Sequence, residues 1–573
     1  MLDYQFCLVS SLEKVFPDSE PNKLKEGSEL SGLIGETISF QLAYRVDYTT
    51  NTVDPPFHLK INSAIKDRIH VRSVKLVPSE FPAYGRYDEN YITTKPGLFP
   101  DLLVPVRDDE LKLYPCQWRA IWFDIELAKE LANHTEPVII RIDREEETIW
   151  EQTVPVRILQ AALPPQQLIH TEWFHADCLA NYYKVPVFSE EHWRIIENFI
   201  GTAVKNGINM ILTPIFTPPL DTREGGERTT VQLIQIIKEG GRYRFQFSLF
   251  RRWLAICKRK GVSYIEICHL FTQWGAKHAP KIMSEENGVL KRIFGWETDA
   301  DSREYKEFLD QLLPELKKVL REEDFLQNTY FHISDEPGEE HKVSYAAAKK
   351  LVSRHLADCK VIDASSSYKL YQEGIVEHPV VCNDEIQNFI DAKVPDLWTY
   401  YCCGQCTQVS NRFFAMPSAR NRILGVQLYL YDIKGFLHWG YNFYNSMYSI
   451  SPIDPFRVTD ADGGFPSGDP FLVYPAEDGT AYESIRLIVL SEALYDLRAL
   501  RFLEALTDRP FVEQIILEGL DRVITFTQYP HEASYLINLR ERVNSVIMKY
   551  SKIDRQRNDA NEVELRLQEA ESE

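Results

Sequence analysis

Eight candidate strands recur between residues 168 and 440, most of them followed by a stretch of helical periodicity, and this alternation restricts the fold more than any other feature. The strands are 168–175, 208–216, 263–271, 329–335, 360–364, 379–382, 397–402 and 435–440. Helical stretches include 190–205, 249–260, 305–320, 341–355, 412–431 and, after the last strand, 482–506. A strand that leads through a helix into the next strand pairs in parallel, and eight such units close into a barrel. The predicted fold class is therefore multidomain α/β, with a (β/α)8 TIM-like barrel over residues 163–508.

Residues 1–162 read differently. Runs such as 37–44 and 138–142 are rich in β-formers, alternate in polarity and are separated by turn residues, which predicts an antiparallel β-sandwich. Leu163-Pro164-Pro165 blocks both helix and ladder and marks the boundary. Within the barrel, 231–247 predicts an inserted hairpin turning at Gly240-Gly241, and 276–301 predicts a long loop. Both follow barrel strands and are expected at the mouth. Residues 509–573 predict a short helical C-terminal extension whose charged end, 554–573, is solvated.

The formal net charge of −20 argues against nucleic acid and anionic membranes as partners. No window is apolar for long enough to cross a bilayer. The N-terminus lacks a basic run followed by an apolar core, so a cytoplasmic protein with reduced thiols is expected from the ten scattered cysteines. Homo-oligomerisation is left open.

Tyr330-Phe331-His332-Ile333-Ser334-Asp335-Glu336-Pro337 carries the chemistry. Adjacent carboxylates suit a core badly, because buried charge is costly unless paired. They suit a cleft where one acid gives a proton and the other holds a cation, the division of labour of glycoside hydrolysis. An N-cap and first-turn acid explains the same residues without function, with about equal weight on local sequence alone. Strand alternation puts Glu336 on the side of His332 and Ser334, with Asp335 turning inward at the rim, and Pro337 favours an extended Glu336. Direct displacement needs carboxyls about 5–5.5 Å apart across the scissile bond, which consecutive residues struggle to provide. The pair fits better if the substrate's own 2-acetamido oxygen attacks, one acid orienting that group and the other protonating the leaving oxygen.

Trp173, Trp274, Trp398 and Trp439 lie near the C-terminal ends of predicted strands. Each alone reads as core, but four at one end of a barrel point to a pocket that packs on sugar C–H faces. Tyr400 shares a strand face with Trp398, and its phenol can hydrogen-bond an acetamido oxygen. His170, His175, His269 and His332 lack metal-binding spacing, and strand-end histidines more often bond substrate or backbone, so His175 is a substrate-side candidate and no metal is expected. Cys402-Cys403-Gly404-Gln405-Cys406 lacks a second spaced pair and reads as buried thiols. No dinucleotide or phosphate loop is present, and no cofactor is expected.

The chain resembles glycoside hydrolase family 123, the β-N-acetylgalactosaminidase family. The resemblance rests on Ser334-Asp335-Glu336-Pro337, on Leu397-Trp398-Thr399-Tyr400-Tyr401-Cys402-Cys403, on 435–442 and on 468–475. It covers about 165–500 and implies substrate-assisted retaining hydrolysis. Asp335 would stabilise the acetamido group and the oxazolinium-like intermediate. Glu336 would be general acid and then base, Tyr400 would contact the acetamido oxygen, and Trp439 and Asn442 would line the sugar site. The expected activity is exo-release of terminal β-linked N-acetylgalactosamine, or another N-acetylhexosamine, from a small oligosaccharide or glycoside. A glycosidase acting on a non-acetamido sugar by direct displacement and a non-catalytic carbohydrate-binding barrel remain the alternatives.

Overall fold

The computed structural model describes residues 3–570 apart from 26, 50–52, 54 and 107, with side chains to residue 551. The N-terminal region is built of two sheets. One holds five strands and the other four, Leu30–Ile34, Phe57–Asn62, His134–Arg144 and Glu147–Ala162. Phe40, Leu42, Phe123 and Ile125 of the first sheet pack against Val138, Ile140 and Val156 of the second, as expected of a sandwich. One pairing departs from the antiparallel expectation: Leu30–Ile34 runs parallel to Glu147–Ala162.

The middle of the chain forms a nearly closed barrel of parallel strands. Ile169–Glu172, Met210–Thr213, Tyr264–Ile267 and Thr329–Phe331 pair in sequence order. Pro379–Cys382, Trp398–Tyr400 and Gly435–His438 follow, and the last pairs with the first. The seam is segment 360–364. Lys360–Val361 pairs with Thr329–Phe331 on one side, and Asp363–Ala364 pairs with Pro379–Cys382 on the other. The eight predicted positions are all occupied, but the ladders are shorter than predicted. The 329–335 strand ends at Phe331, because residues beyond it turn into the cleft. The barrel is also less regular than a (β/α)8 frame: the helices after the seam and after Pro379–Cys382 are single short pieces, Tyr368–Gln372 and Gln387–Asp391.

The longer helices have the expected ends. Ser189 accepts from His192 N and starts Glu190–Lys205, with Glu190 and Glu191 in the first turn and Lys205 in the last. Ser302 starts Arg303–Glu322 in the same way. The predicted helix over 412–431 begins only at Ser418, because Arg412 is drawn into the barrel to meet buried Glu172. The 276–301 loop is instead a second hairpin, Ile282–Glu286 and Val289–Phe294, which extends the Gln235–Glu239 and Arg242–Gln246 hairpin into a four-stranded sheet. Phe294 and Tyr243 of this sheet pack on Phe308 of the Arg303–Glu322 helix, and neither hairpin lines the central cavity.

Helix Ile485–Leu506 is buried on nearly every face and joins the two regions. Its Arg486 donates to both oxygens of Asp101 in the sandwich at 2.8 Å. The C-terminal extension is longer than a short tail. It comprises Arg509–Leu517 and the 38-residue helix Ala533–Ala570, whose Arg540 pairs with Asp496 and Glu36 and whose Glu541 accepts from Ser31 Oγ at 2.7 Å. The side chains of the charged segment 554–573 lie outside the described residues.

Candidate active site

A cavity of about 170 Å³ opens at the C-terminal ends of the barrel strands, the size of a single sugar ring's neighbourhood. Its walls are largely aromatic: Trp173, Trp274, Trp439, Tyr400 and Phe465. Its polar groups are Asp335, Glu336, Asp221 and Gln273. This is the composition of a site that packs on an apolar face and reads orientation through a few polar atoms.

Both acids of the consecutive pair line this one cavity; the strand ends at Phe331, so its alternation does not extend to them, and Asp335 turns inward at the rim. Glu336 has a φ of 47°, in the left-handed region, instead of the extended conformation that a following proline favours. With the backbone in this conformation, both carboxyls line the same cavity. Asp221 and Trp274 line the same cavity with φ of 38° and 56°. Three cavity-lining residues thus hold left-handed backbone.

Asp335's carboxyl has no hydrogen-bond partner among the described residues, so its acceptor oxygens are available to a ligand. Glu336 accepts a hydrogen bond from the Tyr400 hydroxyl at 2.9 Å. Solvent reaches Glu336 through the mouth, yet protein packed around the cleft lifts its carboxyl above the usual range, against the Tyr400 bond. Burial lifts Asp335 well above its usual range, and the neighbouring Glu336 adds to this. The pair therefore keeps a proton at a pH where isolated carboxyls would have lost it.

A buried charge network supports the floor. Glu266 accepts from Trp173 Nε1 at 2.8 Å and from His332 Nε2 at 2.6 Å, and Thr171 donates to it as well. His332 Nδ1 donates to Asp363, which also accepts from Tyr345 Oη at 2.5 Å and from Ile333 N at 3.0 Å. Burial alone would push His332 down, but its bonds to Asp363 and Glu266 more than offset that and raise it to about 10. The resulting imidazolium counteracts the rise at Asp335. A second chain fixes Trp439. Glu172 pairs with Arg412 at 2.8 Å, Arg412 donates to His438 Nδ1 at 2.7 Å, and His438 Nε2 meets Asp469 at 3.2 Å. Asp469 then accepts from Trp439 Nε1 at 2.9 Å.

Trp173, Trp274, Tyr400, Trp439, Asp335 and Glu336 all stand where the sequence placed them, at the cavity. Three other candidates do not. Trp398 faces the barrel interior like Tyr400, but two residues earlier on the strand, about 7 Å deeper. There it packs on Tyr330 and fills the space left by Gly435, where a Cβ would lie 1.9 Å from the indole. His175 is buried behind the wall, its Nε2 bonded to the Trp439 carbonyl at 2.9 Å and its Nδ1 accepting from Arg228. Asn442 clamps the His175 backbone, accepting from its N at 2.9 Å and donating to its O at 3.1 Å. Both residues shape the wall and do not line the cavity.

Sequence reasoning missed Asp221 and Phe465, and expected the segment around Gln273 to shape the outer pocket without singling that residue out. Pro218-Pro219-Leu220-Asp221 reads as an ordinary loop, and only the fold brings Asp221 to the cleft, where burial raises it to about 6. Gln273 lies inside Phe271-Thr272-Gln273-Trp274-Gly275, and its Oε1 is buried without a partner. The fold also gathers His269, His332 and Asp363, with candidate ligand atoms within 4.8 Å of one another. Both ring nitrogens of His332 are engaged, Nε2 with Glu266 and Nδ1 with Asp363. All ten cysteines are free thiols.

Comparison with known proteins agrees with this geometry. The family described as glycoside hydrolase 123, catalytic domain, matches residues 173–503, more than half of the chain. A structure of a family 123 glycoside hydrolase from Clostridium perfringens, studied for glycolipid glycan hydrolysis, superposes with a TM-score of 0.73 at 14% identity, over 96% of this chain and 98% of that one. A family 5 mannosidase from Rhizomucor miehei gives 0.30 at 10% identity, over 58% and 93%. A family 20 exo-β-N-acetylglucosaminidase from Vibrio harveyi gives 0.28 at 10%, over 96% and 98%. TM-scores of 0.30 and 0.28 are too low to assign a shared fold. No curated protein matches the chain.

Proposed function

Because the chain belongs to glycoside hydrolase family 123, we propose that it is a retaining exo-glycosidase that releases terminal β-linked N-acetylgalactosamine, or a related N-acetylhexosamine, with the substrate's 2-acetamido group as nucleophile. One observation carries the reading: Asp335 and Glu336, consecutive in sequence, open into a single aromatic cavity. Two carboxyls on one short stretch of backbone are poorly placed to straddle a sugar ring for direct displacement. They are well placed to act side by side. Asp335, with free acceptor oxygens, would take the acetamido N–H and stabilise positive charge as the acetamido oxygen attacks the anomeric carbon. Glu336, held protonated and reached by solvent, would give its proton to the leaving oxygen and then take one from the water that opens the intermediate. Trp173 and Trp439 would pack on the sugar face. Tyr400 would exchange its bond to Glu336 for one to the acetamido oxygen, or hold both in turn.

Hydrolysis of 4-nitrophenyl β-N-acetylgalactosaminide tests this. Wild type should turn it over, and Glu336→Ala should lose activity but recover part of it with added azide, whereas Asp335→Asn should not recover. Turnover by Glu336→Ala equal to wild type sinks the assignment.

A second reading draws on Asp221, a third carboxyl in the same cavity, from the loop that follows Met210–Thr213. With Glu336 it would serve direct displacement on a sugar lacking the acetamido group. The 2-hydroxy analogue separates the two, since substrate assistance requires near-complete loss of rate on it.

A further inference from the structure

Cys402 and Cys403 both line the sugar cavity, together with Glu336 and Tyr400. The sequence reading of 402–406 as buried thiols holds for Cys406 alone; the two consecutive cysteines are half-buried and open to the cleft. The strand Trp398–Tyr400 ends before them, and both side chains reach the one cavity. We propose that Cys402 and Cys403 form a dithiol site that a trivalent arsenic compound bridges, and that the bridged species blocks the sugar cavity; the blocking, but not the bridging, rests on the glycosidase reading above.

The pair is held in place from one side of the cleft. Gln405 Oε1 accepts from Cys402 N at 3.0 Å and from Cys402 Sγ at 3.2 Å. The Cys402 carbonyl accepts from Asn411 Nδ2 at 2.8 Å. A hydrogen bond with the Cys403 thiol, and then protein packed around the cleft, push the Cys402 thiol well above its ordinary range. The same bond brings the two sulfurs within reach of a single bridging atom.

The chemistry selects the ligand. A divalent metal binds thiolates, and Cys402 resists ionisation. Disulfides mostly span Cα atoms about 4.4–6.8 Å apart, whereas consecutive residues offer about 3.8 Å, so a direct sulfur–sulfur bond strains the ring. An arsenic(III) oxide escapes both demands, because it brings its own proton acceptor and sets one atom between the sulfurs. With phenylarsine oxide, both S–H bonds and the arsenic–oxygen bond break and two S–As bonds form. The oxygen leaves with the two protons as one water, and no electron is transferred. The second S–As bond forms within one molecule, so the pair holds arsenic far more tightly than a single thiol does. A cavity of about 170 Å³ takes a sugar ring or the aryl group, but not both.

The test uses phenylarsine oxide on the full chain. Wild type should take up one arsenic that survives 2-mercaptoethanol and is removed by 2,3-dimercaptopropanol, read by intact mass. Cys402 and Cys403 should lose their labelling by iodoacetamide as it binds. Cys402→Ser and Cys403→Ser, each alone, should raise the half-saturating concentration about a hundredfold, since either leaves a single thiol. Cys116→Ser, at an exposed position, should not change it. Turnover of 4-nitrophenyl β-N-acetylgalactosaminide should fall in step with uptake, and N-acetylgalactosamine should slow the uptake. Failure of wild type to hold arsenic against 2-mercaptoethanol overturns the proposal, as does unchanged uptake by either serine variant. Zinc chloride protecting both thiols as strongly as the arsenical overturns the choice of ligand, and uptake that leaves turnover intact overturns the blocking. If a serine variant does not fold, wild-type labelling decides: undiminished reaction at Cys402 and Cys403 sinks the site. If unmodified enzyme leaves the nitrophenyl glycoside intact, the glycosidase reading fails, while mass and labelling still decide the dithiol site.

Discussion

Replacing Tyr400 by Phe removes one hydrogen bond and almost no volume, so its effect on Glu336 can be worked through. Tyr400 is buried, and its own phenol is pushed well above the usual range, first by burial and then by Glu336, so it stays a donor throughout the working pH range. Its bond to Glu336 favours the ionised carboxylate, because a phenol O–H stabilises a charged acceptor more than a neutral one. Hydrogen bonds to charged groups contribute about 1.5–3 kcal/mol. Water at the open mouth replaces part of this, which leaves roughly 1.4 kcal/mol, equivalent to one pH unit. Losing the bond makes Glu336 harder to ionise. The general acid must be protonated, so activity falls as pH rises through its titration, and in Tyr400→Phe that basic limb should move up by about one pH unit. The assay is the pH profile of kcat/KM on the nitrophenyl glycoside. The height of the profile also reports any loss of acetamido contact, whereas the position of the limb reports the titration of the Asp335–Glu336 pair. A limb that stays in place or moves down refutes the argument that Tyr400 tunes Glu336.

Three further outcomes follow from the packing. Asp335 is raised in the folded state, so the unfolded chain ionises first as pH rises, and stability is lost from about the ordinary carboxylate pKa upward. Asp335→Asn escapes that loss; with solvent in the cleft discounted, it should be more stable than wild type by about 1 kcal/mol at pH 8 and by little at pH 4, measured by denaturant midpoint. A pH-independent difference contradicts this. Arg486→Ala leaves Asp101 buried at the junction of sandwich and barrel with the Tyr474 hydroxyl as its hydrogen-bond donor but without its guanidinium, and should destabilise by about 3 kcal/mol; a change below about 1 kcal/mol in the unfolding midpoint would mean that the remaining partners or solvent compensate the charge. Gly435→Ala forces a methyl into the Trp398 indole and should cost about 1–3 kcal/mol or prevent folding, whereas Gly435→Ala combined with Trp398→Phe should recover part of that stability by thermal melt.

Much of the architecture was legible because it rests on periodicity. Parallel barrel strands are buried on both faces and read as short apolar runs between helices, and Ser189, Ser302 and Asp508 mark helix starts through local capping. Strand lengths were overestimated, since a polar residue that leaves the ladder to enter a cleft looks the same in sequence as one that stays in it. The second hairpin at 282–294 escaped notice because its exposed strand, Val289–Phe294, alternates weakly.

The sequence by itself determined the barrel frame, the sandwich before it and the Asp335–Glu336 pair, because each depends on residues close together along the chain. Only the folded chain decided which side chains meet. The sequence reading had Asp335 turn inward at the strand rim, and only the structure showed that the strand stops as early as Phe331 and that both acids line one cavity. Adjacency on a strand suggested Trp398 as a sugar platform, and the depth of its layer made it core. Asp221, Glu266, Asp363 and Arg412 reach the cleft or its support from separate segments, and nothing local distinguishes them from surface acids and bases. Charge in a low-dielectric interior is governed by partners across space, and those partners are fixed by tertiary packing alone.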